Sequence, residues 1–360
     1  MAPTARVYLR PLGIVDGESA PTAIAGGWAL PLGGPGAAFT AAELWLREGA
    51  GIERWTLRVG ELGTWARQRG PAIEAALARR LGHLSAPAPL PAGLPDHHRP
   101  LIVGVVNVTP DSFSDGGRFL APADAIAQGL EQHAAGADVV DVGGESTRPG
   151  AAPVPADEEI ARVVPVIEAL AAHGILVSID TRKAAVMRAA TAAGARMIND
   201  ITALRHDPDS LSVAGDSGLP VVLMHSRGEP ATMQQRPRYA SALLDVFDHL
   251  EQRSTAWVAA GFERRRLLVD PGIGFGKSLA HNLEILSRLG LYLGLGLPLL
   301  LGISRKSFIA RLAGAAPAAE RLPGSLAAAL AGVAQGVAML RVHDVAATRQ
   351  ALRLWQALHH

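Results

Sequence analysis

From residue 101 onward, apolar runs rich in β-branched residues alternate with stretches of helical periodicity. The runs are LIVGVVN from Leu101, DVVDVGG from Asp138, ILVSID from Ile175, RMIND from Arg196, PVVLMH from Pro220, RLLVD from Arg266, LLLGIS from Leu299 and AMLRVHD from Ala338. Helical patterns lie between them, at residues 123–135, 157–172, 183–193, 242–260 and 325–335, with 345–358 as the last. Runs without polar alternation predict strands buried on both faces, hence a parallel sheet. Eight strand-helix units over about 260 residues predict a (β/α)8 TIM barrel across 101–360. A doubly wound open sheet is the alternative.

Upstream the pattern changes. Residues 86–100 read APAPLPAGLPDHHRP, a proline-rich linker without apolar period. Before it, residues 1–95 carry short strand-like runs at Val7-Tyr8-Leu9 and Trp28-Ala29-Leu30 and helical runs at 41–48 and 72–81. Trp28, Trp45, Trp55 and Trp65, four of the six tryptophans, fall here. The expectation is a small N-terminal α/β appendage used for packing or interaction, since no catalytic constellation occurs in it.

Composition narrows the class. The 360 residues are 49% hydrophobic and 19% charged, enough for a large core and against disorder. A net charge of +1 offers no basic field for nucleic acid. The apolar stretches from Ala23 and Leu289 are broken by proline and glycine, so no membrane span is expected. Without cysteine there is no disulfide, thiolate zinc site or cysteine nucleophile, and without an export signal the expected location is cytoplasmic.

The chemistry sits where the strands end. Nearly every run closes on polar residues: Asn107, Asp141, Asp180, Asn199 with Asp200, His225, Asp270, Ser304, and Arg341 with His343. In a barrel these ends converge on the face that carries active sites. Asp157 and Ser325, placed before helical runs, are expected as helix caps. Asp180, Asn199 and Asp270 suit in-plane hydrogen bonds to a polar heterocycle. Arg341 and His343, two apart on one strand and before a helix, suit a phosphate or pyrophosphate. Lysine occurs only at Lys183, Lys277 and Lys306, so Lys306 beside Arg305 suggests a need for a compact ammonium. The run PGIGFGKS from Pro271 imitates a P-loop but has proline where the first glycine belongs. Long connections after the first two strands, residues 107–119 and 143–151, predict mobile loops over the pocket.

Seven segments in order, GVVNVTPDSFSDGG, DVVDVGGESTRPGA, VSIDTRKAAVMRAATAAGARMINDI, LMHSRGEPATMQ, LLVDPGIGFGKSLAHNLEIL, GISRKSFI and RLPGSLAAALAGVAQGVAMLRVHDV, resemble the dihydropteroate synthases of the pterin-binding barrel superfamily. The resemblance spans about Leu101 to Leu358 and leaves the first hundred residues outside. It implies folate biosynthesis: 6-hydroxymethyl-7,8-dihydropterin pyrophosphate and 4-aminobenzoate would give 7,8-dihydropteroate and pyrophosphate. By motif, Asp180, Asn199, Asp270 and Lys306 would bind the pterin with Met224 against the ring, and Asp141 would join the substrate-binding set. Asn107, Arg341 and His343 would meet the pyrophosphate, with magnesium (Mg2+) held through Asn107. Thr147, Arg148, Pro149, Phe275, Lys306 and Ser307 would surround the aminobenzoate, and Asp111 and Asp115 would organise the first loop. The same resemblance implies a homodimer through late barrel helices and sensitivity to sulfonamides. A pterin-binding barrel of a methyltransferase and a non-catalytic paralogue are the alternatives.

Overall fold

A computed structural model describes residues 5–34, 36–86, 88–95, 100–109, 122–146, 152–228, 233–235, 237–314 and 316–359. The chain divides into two units: one takes the chain up to Pro89 together with Arg288–Pro298, the other Leu90–Ser287 and Leu299–His359. The stretch Arg288–Pro298 therefore leaves the span expected to be all barrel and belongs with the first unit.

The first unit is an antiparallel sheet with helices. Its elements are β1 (Arg6–Asp16), α1 (Ser19–Ala25), β2 (Leu30–Pro31), β3 (Ala37–Glu48), β4 (Gly51–Arg58), α2 (Val59–Arg67) and α3 (Pro71–Ser85). The long β3 pairs with β1 on one side and with β2 and β4 on the other. This corrects the helix expected at 41–48, which is the last two thirds of β3. Leu44 and Leu46 point into a core with Val7, Leu9, Leu62, Trp65 and Leu77, while Glu43 and Trp45 on the opposite parity are buried too. With both faces covered, the period of two disappears from the sequence, and pairing overrides the helix-forming Ala, Glu and Leu. The edge of β1 is not left open. The 3-10 turn Leu289–Leu295 comes from the borrowed stretch, and buried Arg80 of α3 donates to Val7 O at 3.1 Å and to Gly294 O at 3.2 Å.

The second unit is a closed parallel barrel. It contains β5 (Leu101–Asn107), α4 (Pro122–Ala134), β6 (Val139–Gly143), α5 (Ala156–Ala172), β7 (Val177–Asp180), α6 (Ala184–Ala192), β8 (Met197–Asp200), α7 (Ser210–Asp216), β9 (Val221–Met224), α8 (Ala242–Ala259), β10 (Leu267–Asp270), α9 (Leu279–Leu286), β11 (Leu300–Gly302), α10 (Ser307–Ala313), α11 (Leu322–Val333), β12 (Met339–Val342) and α12 (Val345–His359). The strand order is β10-β9-β8-β7-β6-β5-β12-β11, and a parallel bridge between Val269 and Leu299 brings the two ends together. At the N-terminal end, Leu101, Val103, Val139, Met197, Val222, Leu268, Leu300 and Met339 form one apolar layer. Leu94 is buried in that layer and Leu90 packs against it, so part of the proline-rich linker stoppers this end. The two expected caps are placed differently: Asp157 lies in the first turn of α5 behind Pro155, and Ser325 lies inside α11. No helix among the described residues is long and apolar enough to cross a membrane.

Candidate active site

The opposite end of the barrel gathers charge. Asp141 sits fully buried in the middle of β6, Asp180 ends β7, Asn199 lies in β8, and Arg341 reaches in from β12. Arg341 Nε donates to Asp141 Oδ2 at 2.6 Å and its Nη2 to Asp180 Oδ2 at 2.8 Å. Asn199 Nδ2 donates to the same Asp141 oxygen at 3.1 Å, while Asp141 Oδ1 is buried without a partner among the described residues. One guanidinium thus serves two carboxylates. Burial pushes the Asp180 carboxyl up to about 7, with Arg341 pulling it down and Asp141 pushing it further up. Burial works against the charge of Arg341 too, yet Asp141 and Asp180 hold it above its ordinary value. Buried acceptors left with spare capacity favour a ligand that presents N–H donors.

A second group lies across the mouth. Asp270 ends β10, and its Oδ1 accepts from the backbone of Gly272 at 2.7 Å. Lys306, before α10, donates to Ile273 O and lies 4.8 Å from the centre of the half-buried Phe275 ring. A Cβ on Gly302 would lie 3.8 Å from Asp270 Oδ2 and 3.9 Å from Lys306 Nζ, so the bare glycine keeps the space between them open. Burial raises the Asp270 pKa against the pull of Lys306, and it lowers that of Lys306 to about 8 against the pull of Asp270. Arg305 precedes Lys306 in a left-handed conformation, φ 59°. It is held there by Ser325, whose hydroxyl accepts from its N–H at 2.9 Å, by Arg321, which donates to its carbonyl at 2.8 Å, and by Asp344 on its guanidinium. Strain of this kind persists only where neighbours fix it, and here it aims Lys306.

The remaining strand ends divide. Met224, 4% exposed, closes β9 beneath the loop that follows β10. His343 donates its backbone N–H to the Ser304 hydroxyl oxygen at 3.2 Å, and its Nδ1 lies 3.1 Å from the same oxygen. Asn107 ends β5, and Ser307 opens α10, exposed. Asp200 turns away: both its oxygens cap the following turn, at Thr202 and Leu204. His225 also turns inward, toward Lys277. Asp111, Asp115, Thr147, Arg148 and Pro149 lie outside the described residues.

Sequence reading missed an ion-pair cluster beside Asp180. Glu145 accepts from Arg182 Nε at 3.0 Å and Nη2 at 3.2 Å, pairs with Lys183 at 3.2 Å, and receives the Val154 N–H at 3.1 Å. A small cavity lined by Glu145, Asp180, Thr181, Arg182 and Ile201 opens there. The signal available was the adjacency of Arg182 and Lys183 to the Asp180 strand end.

For a divalent cation, the described residues hold no group of three or more His, Asp or Glu side chains placed to enclose one. Asn107 offers one hard oxygen at the mouth. That donor set fits a magnesium ion held chiefly by ligand phosphates, which characteristically takes few protein oxygens.

The sequence pattern of the pterin binding enzyme family matches residues 103–343. The dihydropteroate synthase of Escherichia coli K12 is 46% identical over 263 residues, 73% of this chain and 93% of that protein. The chain belongs to the dihydropteroate synthase family. It is therefore an enzyme, a transferase. The Bacillus subtilis dihydropteroate synthase is 40% identical over 269 residues, covering 74% of this chain and 92% of that one. Among solved structures, the Yersinia pestis dihydropteroate synthase in a sulfonamide drug complex superposes with a TM-score of 0.71 at 45% identity, over 75% of this chain and 98% of that one. The Xanthomonas albilineans dihydropteroate synthase with 4-aminobenzoic acid gives 0.69 at 49% identity, over 73% and 94%. The TIM barrel and the family read from the motifs are thus both found, and the family pattern begins at residue 103, beyond the N-terminal appendage.

Proposed function

We propose that the chain joins 6-hydroxymethyl-7,8-dihydropterin pyrophosphate to 4-aminobenzoate, giving 7,8-dihydropteroate and pyrophosphate. The observation that carries this reading is the buried set of Asp141, Asp180, Asn199 and Arg341, with an Asp141 oxygen unpartnered among the described residues. Asp180 and Asp270 accept from the pterin ring N–H groups, Asn199 matches its mixed donor and acceptor edge, and Met224 lies against its face. Lys306 supplies an ammonium to the acceptor side of the ring. Such a site rejects heterocycles lacking the matching pattern, because its buried groups would then stay unpaired.

Arg341 and His343 face the pyrophosphate. Asn107 would hold magnesium, which when bound would neutralise charge on the leaving group. The C–O bond breaks with its electron pair leaving on pyrophosphate, and Arg341 and His343 hold the charge that develops there. The pterin-stabilised cation then takes the amine of 4-aminobenzoate: a C–N bond forms, and the amine proton passes to solvent. Phe275, Lys306 and Ser307, with Thr147, Arg148 and Pro149, surround the aminobenzoate, while Asp111 and Asp115 order the first loop. Sulfonamides compete for the same place, a reading supported by Phe275 beside Lys306. A homodimer through the late helices belongs to the same proposal, supported by exposed Leu312 on α10 and Leu354 and Leu358 on α12.

The test is direct. Purified protein with the pterin pyrophosphate, 4-aminobenzoate and magnesium releases pyrophosphate, and a sulfonamide raises the KM for 4-aminobenzoate. No release above background overturns the reaction, and turnover indifferent to sulfonamide overturns the competition. Sedimentation velocity at micromolar concentration decides between dimer and monomer.

A further inference from the structure

Lys277 takes part in none of these steps, yet it is only 2% exposed and forms no ion pair among the described residues. Its Nζ is bonded only to dipoles, while the Asp270 carboxylate favours its charge from beyond ion-pair distance. Nζ donates to Gly272 O at 2.8 Å, Phe275 O at 3.1 Å and His225 O at 3.2 Å, and lies 2.9 Å from His225 Nδ1. The backbones around it meet closely. Gly272 and Gly276 have φ of 65° and 62°, and a Cβ on them would fall 1.9 Å from His225 O and 2.2 Å from Arg227 O. Burial holds the Lys277 pKa well below its ordinary value against the pull of Asp270, so the charge is expensive there, and an apolar side chain would relieve that expense. What an apolar side chain does not do is draw carbonyl oxygens from two segments onto one point.

That gathering has a counterpart. Between Gly272 and Phe275, whose carbonyls go to Lys277, Ile273 gives its carbonyl to the other lysine, Lys306. The loop after β10 is thus gripped by two ammonium groups. It carries the Phe275 ring beside Lys306, and it is tied to Asp270 through the Gly272 N–H.

We propose that Lys277 is a positioning residue for the reaction, fixing this loop so that Ile273 O and Phe275 hold Lys306 in its working place. The proposal rests on the reading that Lys306 serves the substrates. A double-mutant cycle in the full-length protein tests it, with pyrophosphate release measured for wild type, Lys277→Met, Lys306→Met and the pair. Lys277→Met lowers kcat/KM for 4-aminobenzoate about 30-fold in the wild-type background and less than about threefold in the Lys306→Met background, the non-additivity of residues that act through one another. If residual turnover is too low in Lys306→Met, the same cycle is read by calorimetric affinity for the pterin. Additive losses overturn the proposal, since a general loosening of the barrel would lower both backgrounds alike. Unchanged kcat/KM in Lys277→Met overturns it too. Should Lys277→Met fail to fold by circular dichroism, His225→Leu removes one acceptor and leaves the carbonyls. It lowers kcat/KM about fivefold, an effect that disappears when Lys306 is Met and whose persistence there overturns the proposal. A wild-type chain that releases no pyrophosphate would fail the proposed reaction instead, before the cycle begins.

Discussion

Both units bury charge, and they do it in opposite ways. In the first, Glu43 on β3 is 1% exposed and faces three arginines: Arg10 at 2.9 Å, Arg54, and Arg288 at 3.8 Å. Cations outnumber the carboxylate there. In the barrel the ratio inverts, for Arg341 alone serves Asp141 and Asp180. Each site leaves one carboxylate oxygen, Glu43 Oε2 or Asp141 Oδ1, without a hydrogen bond among the described residues. A carboxylate crowded by its own chain's cations locks a fold, whereas carboxylates short of cations leave capacity for a ligand. Burial alone does not separate the two cases. The ratio of cations to carboxylates does.

Substitutions can break that distinction. Asp180→Ala should lower turnover about a thousandfold or more, with pterin binding lost in calorimetry and the fold kept. If it lowered only stability, the barrel group would be no different from Glu43. Arg341→Met strips the shared cation from two buried carboxylates, so both properties should fall: turnover about a hundredfold and stability about 3 kcal/mol, read by assay and urea unfolding. Glu43→Gln is the converse. It should cost about 3 kcal/mol in unfolding followed by tryptophan fluorescence, with kcat/KM held within about twofold.

Acidity separates the two sites as well. The Asp180 carboxyl is raised from 3.8 to about 7, first by burial. Between those values the folded protein binds this proton and the unfolded chain does not, so this group makes ligand-free stability fall as pH rises. Pterin affinity needs the ionised carboxylate and should rise as much as about tenfold per pH unit, levelling above about pH 7. Opposite slopes in thermal unfolding and calorimetry are the expected result; parallel slopes would remove Asp180 from the ligand. The smallest effect belongs to Ser325→Ala, which frees the N–H of left-handed Arg305. It should cost about 1 kcal/mol and raise the KM of a Lys306-dependent substrate a fewfold, measured by steady-state kinetics.

Much of the barrel was legible because a strand buried on both faces writes its apolar run without interruption, and a polar residue closing such a run stands out. That pattern located Asp141, Asp180, Asn199, Asp270 and Arg341. It also admitted Asp200, which only caps its own turn, since sequence does not tell where a carboxylate points. For Arg341 the sequence pointed to a phosphate ligand but did not show that the chain's own Asp141 and Asp180 also meet its guanidinium, at 2.6 and 2.8 Å. The part of β3 at 41–48 misled for the opposite reason: its two faces are both covered, so no alternation marks it as a strand. Glu145 with Arg182, and Lys277 with His225, stayed hidden because the partners lie in loops after different strands.

The borrowed stretch Arg288–Pro298 has a consequence for synthesis. Arg80 and the Gly294 carbonyl it grips are separated by 214 residues, and Glu43 must likewise wait for Arg288. At roughly 5–20 residues per second, an emerging chain spends roughly 10–40 s with the N-terminal sheet made but its edge strand β1 unsealed. During that interval β1 is open to any extended segment nearby, including the same strand of a neighbouring nascent chain on one messenger. Sealing of β1 would then be set by the pace of translation.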